Sequence, residues 1–292
     1  MKITKNKKKE SIPRKIFHIF NTLFFAFLVL SVILPFVKIL GQSFSWRELY
    51  GLEFFPHSSI EDIYMHTLAY RYVFSYNYTK TPIAVSFVTT FLITLFGLLI
   101  SSVSAFILTQ KNMPGRKLFA ALLIIALTFD AGIIQKFLVI KKIGLFDTLW
   151  AVILPLSLNV FNIFLMKKYF ETIPQNILDA AVIDGCSPVD MFMKITLPLS
   201  KAALAAIGLS FAVAAWNEYL AYVMYINDYS KYNMQYILRD MFADKTDSPY
   251  SSINLRFMQS AQIVVTALPM IILSMFAQKF YTPEFTMASV KE

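Results

Sequence analysis

Residues 179–198, DAAVIDGCSPVDMFMKITLP, form a polar stretch in an apolar chain. The stretch contains three acidic residues and one lysine, yet it lies between two of the most apolar segments of the sequence. Apolar residues recur at helical spacing in its first half, and Gly185 is typical of a helix end. Ser187 followed by Pro188 is typical of a helix start. The stretch therefore predicts two short helices joined by a tight turn.

The composition of the whole chain indicates an integral membrane protein. The 292 residues are 57% hydrophobic and only 15% charged, whereas soluble domains carry about a quarter charged residues. Because crossing a bilayer takes roughly 20 apolar residues and backbone groups in lipid must be bonded internally, each long apolar block predicts a helix. We therefore predict an all-α membrane protein with six transmembrane helices, at about 17–40, 82–109, 118–140, 149–166, 199–226 and 261–281.

Two of these blocks contain residues that interrupt an apolar helix. Asp130 and Gly132 predict that the outer half of the third span is irregular or faces protein. Pro155 predicts a kink in the fourth span, because proline removes a backbone donor and its ring clashes with the preceding turn. Either simple packing or a gating movement is compatible with such a kink.

The basic residues favour one orientation in the membrane. With the amino terminus in the cytoplasm, 16 of the 27 Lys and Arg residues fall in segments predicted to lie inside. Since cytoplasmic loops are enriched in Lys and Arg, we expect both termini in the cytoplasm, and the basic start of the chain is expected to touch anionic lipid. The predicted parts are a basic N-terminus at 1–16, a single six-span membrane domain at 17–282 with a cytoplasmic helix–turn–helix loop at 171–198, and a tail at 283–292.

Several functions are disfavoured by the residues that the chain lacks. A single cysteine, Cys186, excludes an internal disulfide, and the three scattered histidines do not predict a metal site. The sequence contains no G-x-x-x-x-G-K-[ST] motif for nucleotide phosphates. Its basic residues do not form the aromatic-interleaved patch that is typical of nucleic-acid binding. We expect no catalytic residue, no metal and no nucleic-acid partner.

The polar stretch resembles the EAA loop of permease subunits in bacterial ATP-binding-cassette (ABC) importers. The family pattern is roughly E-A-A-x-x-D-G-A-x5-F-x2-I-x-L-P. Asp179 stands where Glu is usual, and Cys186 stands where Ala is usual. The resemblance implies that the matching residues contact an ATPase and transmit its movement: Asp179, Ala180, Ala181, Asp184, Gly185, Phe192, Ile195, Leu197 and Pro198.

Further matches extend the resemblance over about residues 80–282. NMPGRKLF, after the second span, and LPLSKAALAAIGLSFAVAAWNEYL are similar to the carbohydrate-uptake permeases, within the branch associated with complex oligosaccharides such as aldouronates. The resemblance implies a bacterial plasma-membrane transporter, not an enzyme. Its implied partners are a second homologous permease, a cytoplasmic ATPase dimer that holds ATP and Mg, an extracellular or lipid-anchored binding protein, and an oligosaccharide cargo carried by alternating access. No cofactor is expected on this chain.

Polar and aromatic residues of the fourth and fifth spans are candidates for the sugar path. Aromatic rings stack on sugar faces, amides bond sugar hydroxyls, and a carboxylate within a span is a functional candidate by default. Helix packing or anchoring at the membrane interface is the alternative role for each residue. The candidates are Asn159, Asn162, Trp216, Asn217, Glu218, Tyr219 and Tyr222.

Two other functions are open to a helical membrane protein. An ion-coupled secondary transporter of a polar solute uses buried carboxylates and broken helices, but the predicted spans hold few acids and no clear inverted repeat. An integral membrane enzyme needs a catalytic set, and neither a Ser/His/Asp set nor a metal cluster is evident. Dependence of uptake on ATP separates the two transporters, and activity on lipid or glycan without transport would indicate the enzyme.

Overall fold

The structure, a computed structural model, is helical throughout the part of the chain that it describes. It describes residues 12–45, 53–55, 67–75, 77–110, 113–129, 131–242 and 255–277, and no strand occurs within those ranges. The chain forms two compact units, of which the smaller comprises residues 1–73 and 245–264 and the larger residues 74–244 and 265–292. The predicted tail at 283–292 and most of the predicted N-terminal segment lie outside the described residues.

The helices of the described ranges are numbered here in chain order. They are α1 (Ile12–Ser43), α2 (Leu68–Ser75), α3 (Asn77–Thr109), α4 (Arg116–Thr128), α5 (Ile133–Lys142), α6 (Trp150–Ser157), α7 (Val160–Phe170), α8 (Gln175–Ile183), α9 (Pro188–Leu199), α10 (Lys201–Trp216), α11 (Leu220–Tyr225), α12 (Met234–Phe242) and α13 (Leu255–Ala277).

Three of the described helices are each long and apolar enough to cross a membrane. They are Phe17–Ser43 in α1, Lys80–Thr109 in α3 and Met258–Phe276 in α13, and they coincide with the first, second and sixth predicted spans. Two bent pairs, α6 with α7 and α9 with α10, also pass when each pair counts as one span. The described residues therefore hold three to five candidate spans, and the total of six stays a prediction.

The third predicted span corresponds to two shorter helices. Helix α4 ends at Thr128, Phe129 is extended, and Gly132 precedes α5 with φ +83°. The irregular backbone that we predicted beside Gly132 is present, whereas Asp130 lies outside the described residues. The kink predicted at Pro155 is confirmed, because α6 ends two residues later and α7 continues at an angle of 41°.

Helix α3 is the central helix of the larger unit. It packs against α6, α7, α10 and α12, with core side chains such as Ile93 and Phe211 almost fully buried. Gly97 permits the close approach of α10, since a Cβ atom at this position would lie 2.7 Å from the Phe211 ring. Steric contact of that kind explains why a glycine interrupts an otherwise bulky apolar helix.

The two ends of α3 contact different polar regions. Near its first end, the Ser86 hydroxyl accepts a hydrogen bond from the backbone N–H of Met234 in α12, at 2.9 Å. Near its other end, the Phe106 ring lies 5.1 Å from the ring of Phe192 in α9. These contact points are about 30 Å apart along the helix at 1.5 Å per residue, which is the thickness of a bilayer's hydrocarbon core.

The smaller unit is built around the end of α1. The Ser43 hydroxyl bonds the Tyr70 hydroxyl of α2 at 2.8 Å, and the Phe44 and Tyr70 rings lie 5.2 Å apart. Gly41 is required by close packing, because a Cβ atom there would collide with the Phe54 carbonyl oxygen. Most of the apolar side chains from Phe17 to Phe36 are exposed, as expected for a helix surrounded by lipid or by a partner subunit.

Candidate coupling segment and transport path

The polar stretch folds as helix α8, a turn and helix α9. Gly185 follows α8 with φ +78°, a conformation that L side chains disfavour. The N–H of Gly185 bonds the Val182 carbonyl at 3.1 Å, and the N–H of Cys186 bonds the Ala181 carbonyl at 3.0 Å. This pair of bonds is the Schellman motif, which satisfies the last carbonyls of α8 and reverses the chain direction.

Helix α9 begins with the N-cap that the sequence predicts. The Ser187 hydroxyl accepts from the backbone N–H of Asp190 at 3.1 Å and donates to the Asp190 carboxylate at 2.6 Å. Lys194, one turn further, pairs with the same carboxylate at 2.6 Å. A capped start of this kind stabilises a helix by about 1 kcal/mol, so the turn has defined helix boundaries on both sides.

The middle of α9 departs from α-helical geometry. Met191–Thr196 is π-helical, and the Thr196 hydroxyl donates to the Met191 carbonyl at 3.2 Å. The chain then bends by 81° between Leu199 and Lys201, where α10 begins. Single π-turns often mark functional positions in helices, and here the turn connects the polar segment to a long apolar helix.

The helix–turn–helix has one anchored side and one exposed side. Ala181 and Met191 are buried, and Phe192 packs against Phe106 of α3. On the opposite side, apolar residues face outward, with Ile183 85% exposed and Val189 70% exposed. This side of the segment therefore presents apolar surface.

A cavity lies beneath this segment. It measures about 800 Å³ and is bordered by the end of α3, the start of α4 and helices α8 and α9, with Arg116, Glu171 and Asp179 among its lining residues. The cavity therefore separates part of the helix–turn–helix from the end of α3.

The nine residues of the EAA-like pattern divide by exposure. Five of them are exposed: Asp179, Ala180, Asp184, Gly185 and Pro198. Ala181 is buried, and the remaining three are partly buried: Phe192, Ile195 and Leu197. The Asp179 carboxylate accepts a hydrogen bond from the Gln175 amide at 3.0 Å. The pattern thus contributes both to the exposed surface and to its attachment to the protein.

Four of the seven sugar-path candidates lie within a helix or at its N-cap. The Asn159 side chain caps α7 by accepting from the Asn162 N–H at 3.0 Å, and Asn162 itself is buried. The Trp216 indole N–H donates to the Thr266 carbonyl at 3.0 Å. The fully buried Tyr222 donates its hydroxyl hydrogen to the Thr89 hydroxyl at 2.9 Å. These hydrogen bonds account for the side chains of Asn159, Trp216 and Tyr222, whereas Asn162 contributes its backbone N–H.

The other three candidates lie at a break in the helical chain. Helix α10 ends at Trp216 and α11 begins at Leu220, so Asn217, Glu218 and Tyr219 lie between them. The Glu218 carboxylate accepts from the Ala221 N–H at 2.7 Å, and the Asn217 amide accepts from the Gln235 side chain at 3.3 Å. Non-helical backbone at a membrane protein's span end is tolerated where it lines protein or water.

Helix α12 adds residues that the sequence analysis missed. Arg239 places its guanidinium carbon 4.4 Å from the centre of the Tyr219 ring, and the Tyr236 ring lies 6.1 Å from the same ring. The apolar spacing of MQYILRDMF is the signal that predicts an amphipathic helix there.

Asp147 holds a second loop beside this region. With φ +59°, it accepts hydrogen bonds from the backbone N–H groups of Asn227 and Asp228, at 3.0 and 3.1 Å. Those two bonds, helped by the nearby Lys231 ammonium, lower the pKa of the Asp147 carboxyl below its ordinary value. The pKa of Asp228 is also lowered, chiefly by hydrogen bonds from Ser230. The ionised carboxylates therefore hold the loop in place.

Comparison with known proteins identifies the family. The family described as binding-protein-dependent transport system inner membrane component matches residues 83–286. This chain belongs to that family. Such an inner membrane component works with a second permease, an ATPase and a binding protein, and the comparisons confirm the resemblance to permeases.

The alignments with individual relatives cover nearly the whole of this chain. This chain is 33% identical to a polygalacturonan/rhamnogalacturonan transport system permease, YtcP of Bacillus subtilis, over 94% of this chain and 98% of the relative. It is 28% identical to an arabinooligosaccharides transport system permease, AraQ of Halalkalibacterium halodurans, over 92% of this chain and 95% of the relative. A chain from the crystal structure of a bacterial ABC transporter involved in import of the acidic polysaccharide alginate aligns with TM-score 0.86 and 26% identity, over 94% of this chain and 100% of that one.

Proposed function

We propose that this chain is one of two membrane subunits of an ABC importer that carries an oligosaccharide across the bacterial plasma membrane. The single observation that carries the proposal is the exposed helix–turn–helix of α8 and α9 in a chain of this family. In the proposed topology, α4 and α5 complete a sixth span and both termini are cytoplasmic. The loop at 171–198 then faces the cytoplasm.

The proposed partner at this loop is an ATPase dimer that binds ATP and Mg. Its groove receives the exposed apolar side chains of Val182, Ile183 and Val189. Burying one such side chain contributes on the order of 2 kcal/mol. Closure of the dimer moves α8 and α9, and the ring contact of Phe192 with Phe106 carries this movement to α3. Rigid rocking of the spans between two states is alternating access.

The proposed sugar path lies near the first end of α3. Asn217, Glu218 and Tyr219, at the break between α10 and α11, are the three earlier candidates with exposed or half-buried side chains in that region. For Asn159, Trp216 and Tyr222 we propose structural roles, given their hydrogen bonds. For the buried Asn162 we propose a role in helix packing. An extracellular or lipid-anchored binding protein delivers the cargo to this end.

Reconstitution tests this function directly. Proteoliposomes containing both permease subunits and the ATPase are supplied with the binding protein and a labelled oligosaccharide. We expect uptake that requires ATP and persists after ionophores collapse all ion gradients. Uptake that does not require ATP and stops when the ionophores are added would instead indicate an ion-coupled secondary transporter.

A further inference from the structure

Four tyrosine rings lie in a row, with Tyr219 at the helix break, Tyr236 in α12, and Tyr232 and Tyr229 in the segment that precedes α12. Successive ring centres of Tyr219, Tyr236, Tyr232 and Tyr229 are 6.1, 3.6 and 5.3 Å apart. We call these four residues the aromatic row. Arg239 lies at its Tyr219 end, with the guanidinium carbon 4.4 Å from the ring centre. A cation is thus held beside polar side chains at one end of the protein.

Helix α12 is fixed to both neighbouring elements. The buried Asn233 caps α12 by accepting from the Tyr236 N–H at 2.9 Å, and its amide donates to the Glu218 carbonyl of the helix break. The Met234 N–H bonds Ser86 of α3. Because these contacts anchor the start of α12, the position of Arg239 over Tyr219 is determined by the fold and not by a flexible side chain alone.

The contact with Tyr219 leaves the hydrogen-bond donors of Arg239 available. A cation–π contact uses the charge of the guanidinium against the ring face, whereas the five N–H donors lie in the guanidinium plane. Arg239 is exposed, and within the described residues it forms no ion pair with a carboxylate. Lys231, by contrast, is paired with Asp147 and Asp228.

We propose that Arg239 binds the carboxylate of an acidic sugar residue, such as a hexuronate, as the cargo enters. This inference rests on the proposed oligosaccharide transport and narrows its cargo to acidic oligosaccharides. A guanidinium fork matches a carboxylate with two parallel hydrogen bonds. The neighbouring amides of Asn217 and Gln235 supply groups that bond hydroxyls. A neutral sugar offers no partner for the charge.

The test compares two probes that share one sugar backbone, of which one is charged and the other neutral. Trigalacturonate and its fully methyl-esterified form are supplied to the reconstituted complex with the binding protein saturated, so that delivery does not limit the comparison. Arg239→Gln is expected to lower the uptake rate of the acid by about 10-fold or more and to leave that of the ester unchanged. Equal effects on both probes, or none on the acid, would overturn the proposal.

Three further variants distinguish the contribution of the Arg239 charge from those of its planar fork and of the Tyr219 ring. Tyr219→Leu removes the ring that orients Arg239 and is expected to reduce the acid-to-ester ratio, while Tyr219→Phe keeps the ring and the ratio. Arg239→Lys keeps the charge without the planar fork, so an intermediate ratio is expected. Unchanged ester uptake in the two Arg239 variants shows that the complex is folded and active. Because Tyr219 lies in the proposed sugar path, its two variants are compared by the acid-to-ester ratio alone.

Phosphate groups of lipids are the competing anions at a membrane interface. The experiment is therefore repeated in liposomes with and without phosphatidylglycerol. If the effect of Arg239→Gln appears only with the anionic lipid, Arg239 binds a headgroup and the proposal is overturned. If the wild-type complex imports the ester but not the acid, the proposed role of Arg239 is overturned while the proposed transport function stands. ATP-independent uptake of both probes would instead contradict the proposed transport function.

Discussion

At the scale of single residues, Asn159 shows how a candidate for sugar binding acquires a structural explanation. Its side-chain oxygen accepts the Asn162 N–H and caps α7 immediately after the kink that follows Pro155. An uncapped helix start leaves backbone donors without partners. The cap explains the polar residue at this position without any contact to cargo.

Substitution of Asn159 separates the two roles. We expect Asn159→Ala to lower the free energy of unfolding by about 1 kcal/mol, because the cap is lost. Asn159→Ser, which restores a capping oxygen, is expected to stay near the wild-type value. Thermal unfolding in detergent measures the change in stability, and sugar uptake measures any change in the apparent affinity for sugar. A large loss of apparent sugar affinity in the serine variant would contradict the capping role.

Asp147 gives a prediction about pH. Because hydrogen bonds lower its pKa in the folded protein, its stabilising effect is complete above the unfolded pKa, about 3.9, and is lost as pH falls through the lower folded value. The Asn227 and Asp228 amides are therefore expected to keep constant protection from pH 7 down to about pH 4 and to lose it below.

Hydrogen exchange in nanodiscs, corrected for the intrinsic pH dependence, measures this protection. Asp147→Asn cannot ionise and is expected to show weaker protection of the Asn227 amide at pH 7, without the loss below pH 4. Protection that declines between pH 7 and pH 5 in the wild type would show that another group controls the loop.

At the scale of secondary-structure elements, the turn between α8 and α9 has a matched control elsewhere in the chain. Gly185 and Gly144 have φ values of +78° and +77°, and a Cβ atom at either glycine would meet no neighbour within 4 Å. Valine at either position therefore adds similar backbone strain, about 1–2 kcal/mol. Only Gly185 orients the exposed apolar end of α8.

We expect Gly185→Val to insert into the membrane but to abolish transport and sugar-stimulated ATP hydrolysis, whereas Gly144→Val keeps most of both. Asparagine tolerates positive φ, so Gly185→Asn is expected to retain partial activity. The assay is stimulated ATP hydrolysis in the reconstituted complex. Similar losses in the two valine variants would attribute the effect to strain and not to coupling.

The same turn shows what local sequence determines. The helix end at Gly185 and the N-cap at Ser187 depend on residues within a few positions, so the sequence predicts them. Asp147 and Asn227 are far apart in sequence, as are Tyr219 and Arg239, and nothing local indicates that they meet. Gly132, which has φ +83°, is likewise a local signal for the irregular backbone predicted in the third span.

At the scale of the whole molecule, α3 connects the two candidate regions of the larger unit. Its first end contacts α12 and its other end contacts α9, about 30 Å away. Hydropathy predicts this helix well, because a long uncharged block has no alternative fold in lipid. The partners at its ends depend on tertiary packing, which hydropathy does not report.

The central claim is that the exposed side of α8 and α9 contacts an ATPase, and photo-cross-linking in the active complex tests it most directly. A photoreactive amino acid replaces Ile183, which is 85% exposed, or Phe129, which follows α4 and is 80% exposed. The account predicts an adduct with the ATPase subunit from position 183 and none from position 129. An active complex in which position 183 forms no ATPase adduct would contradict it.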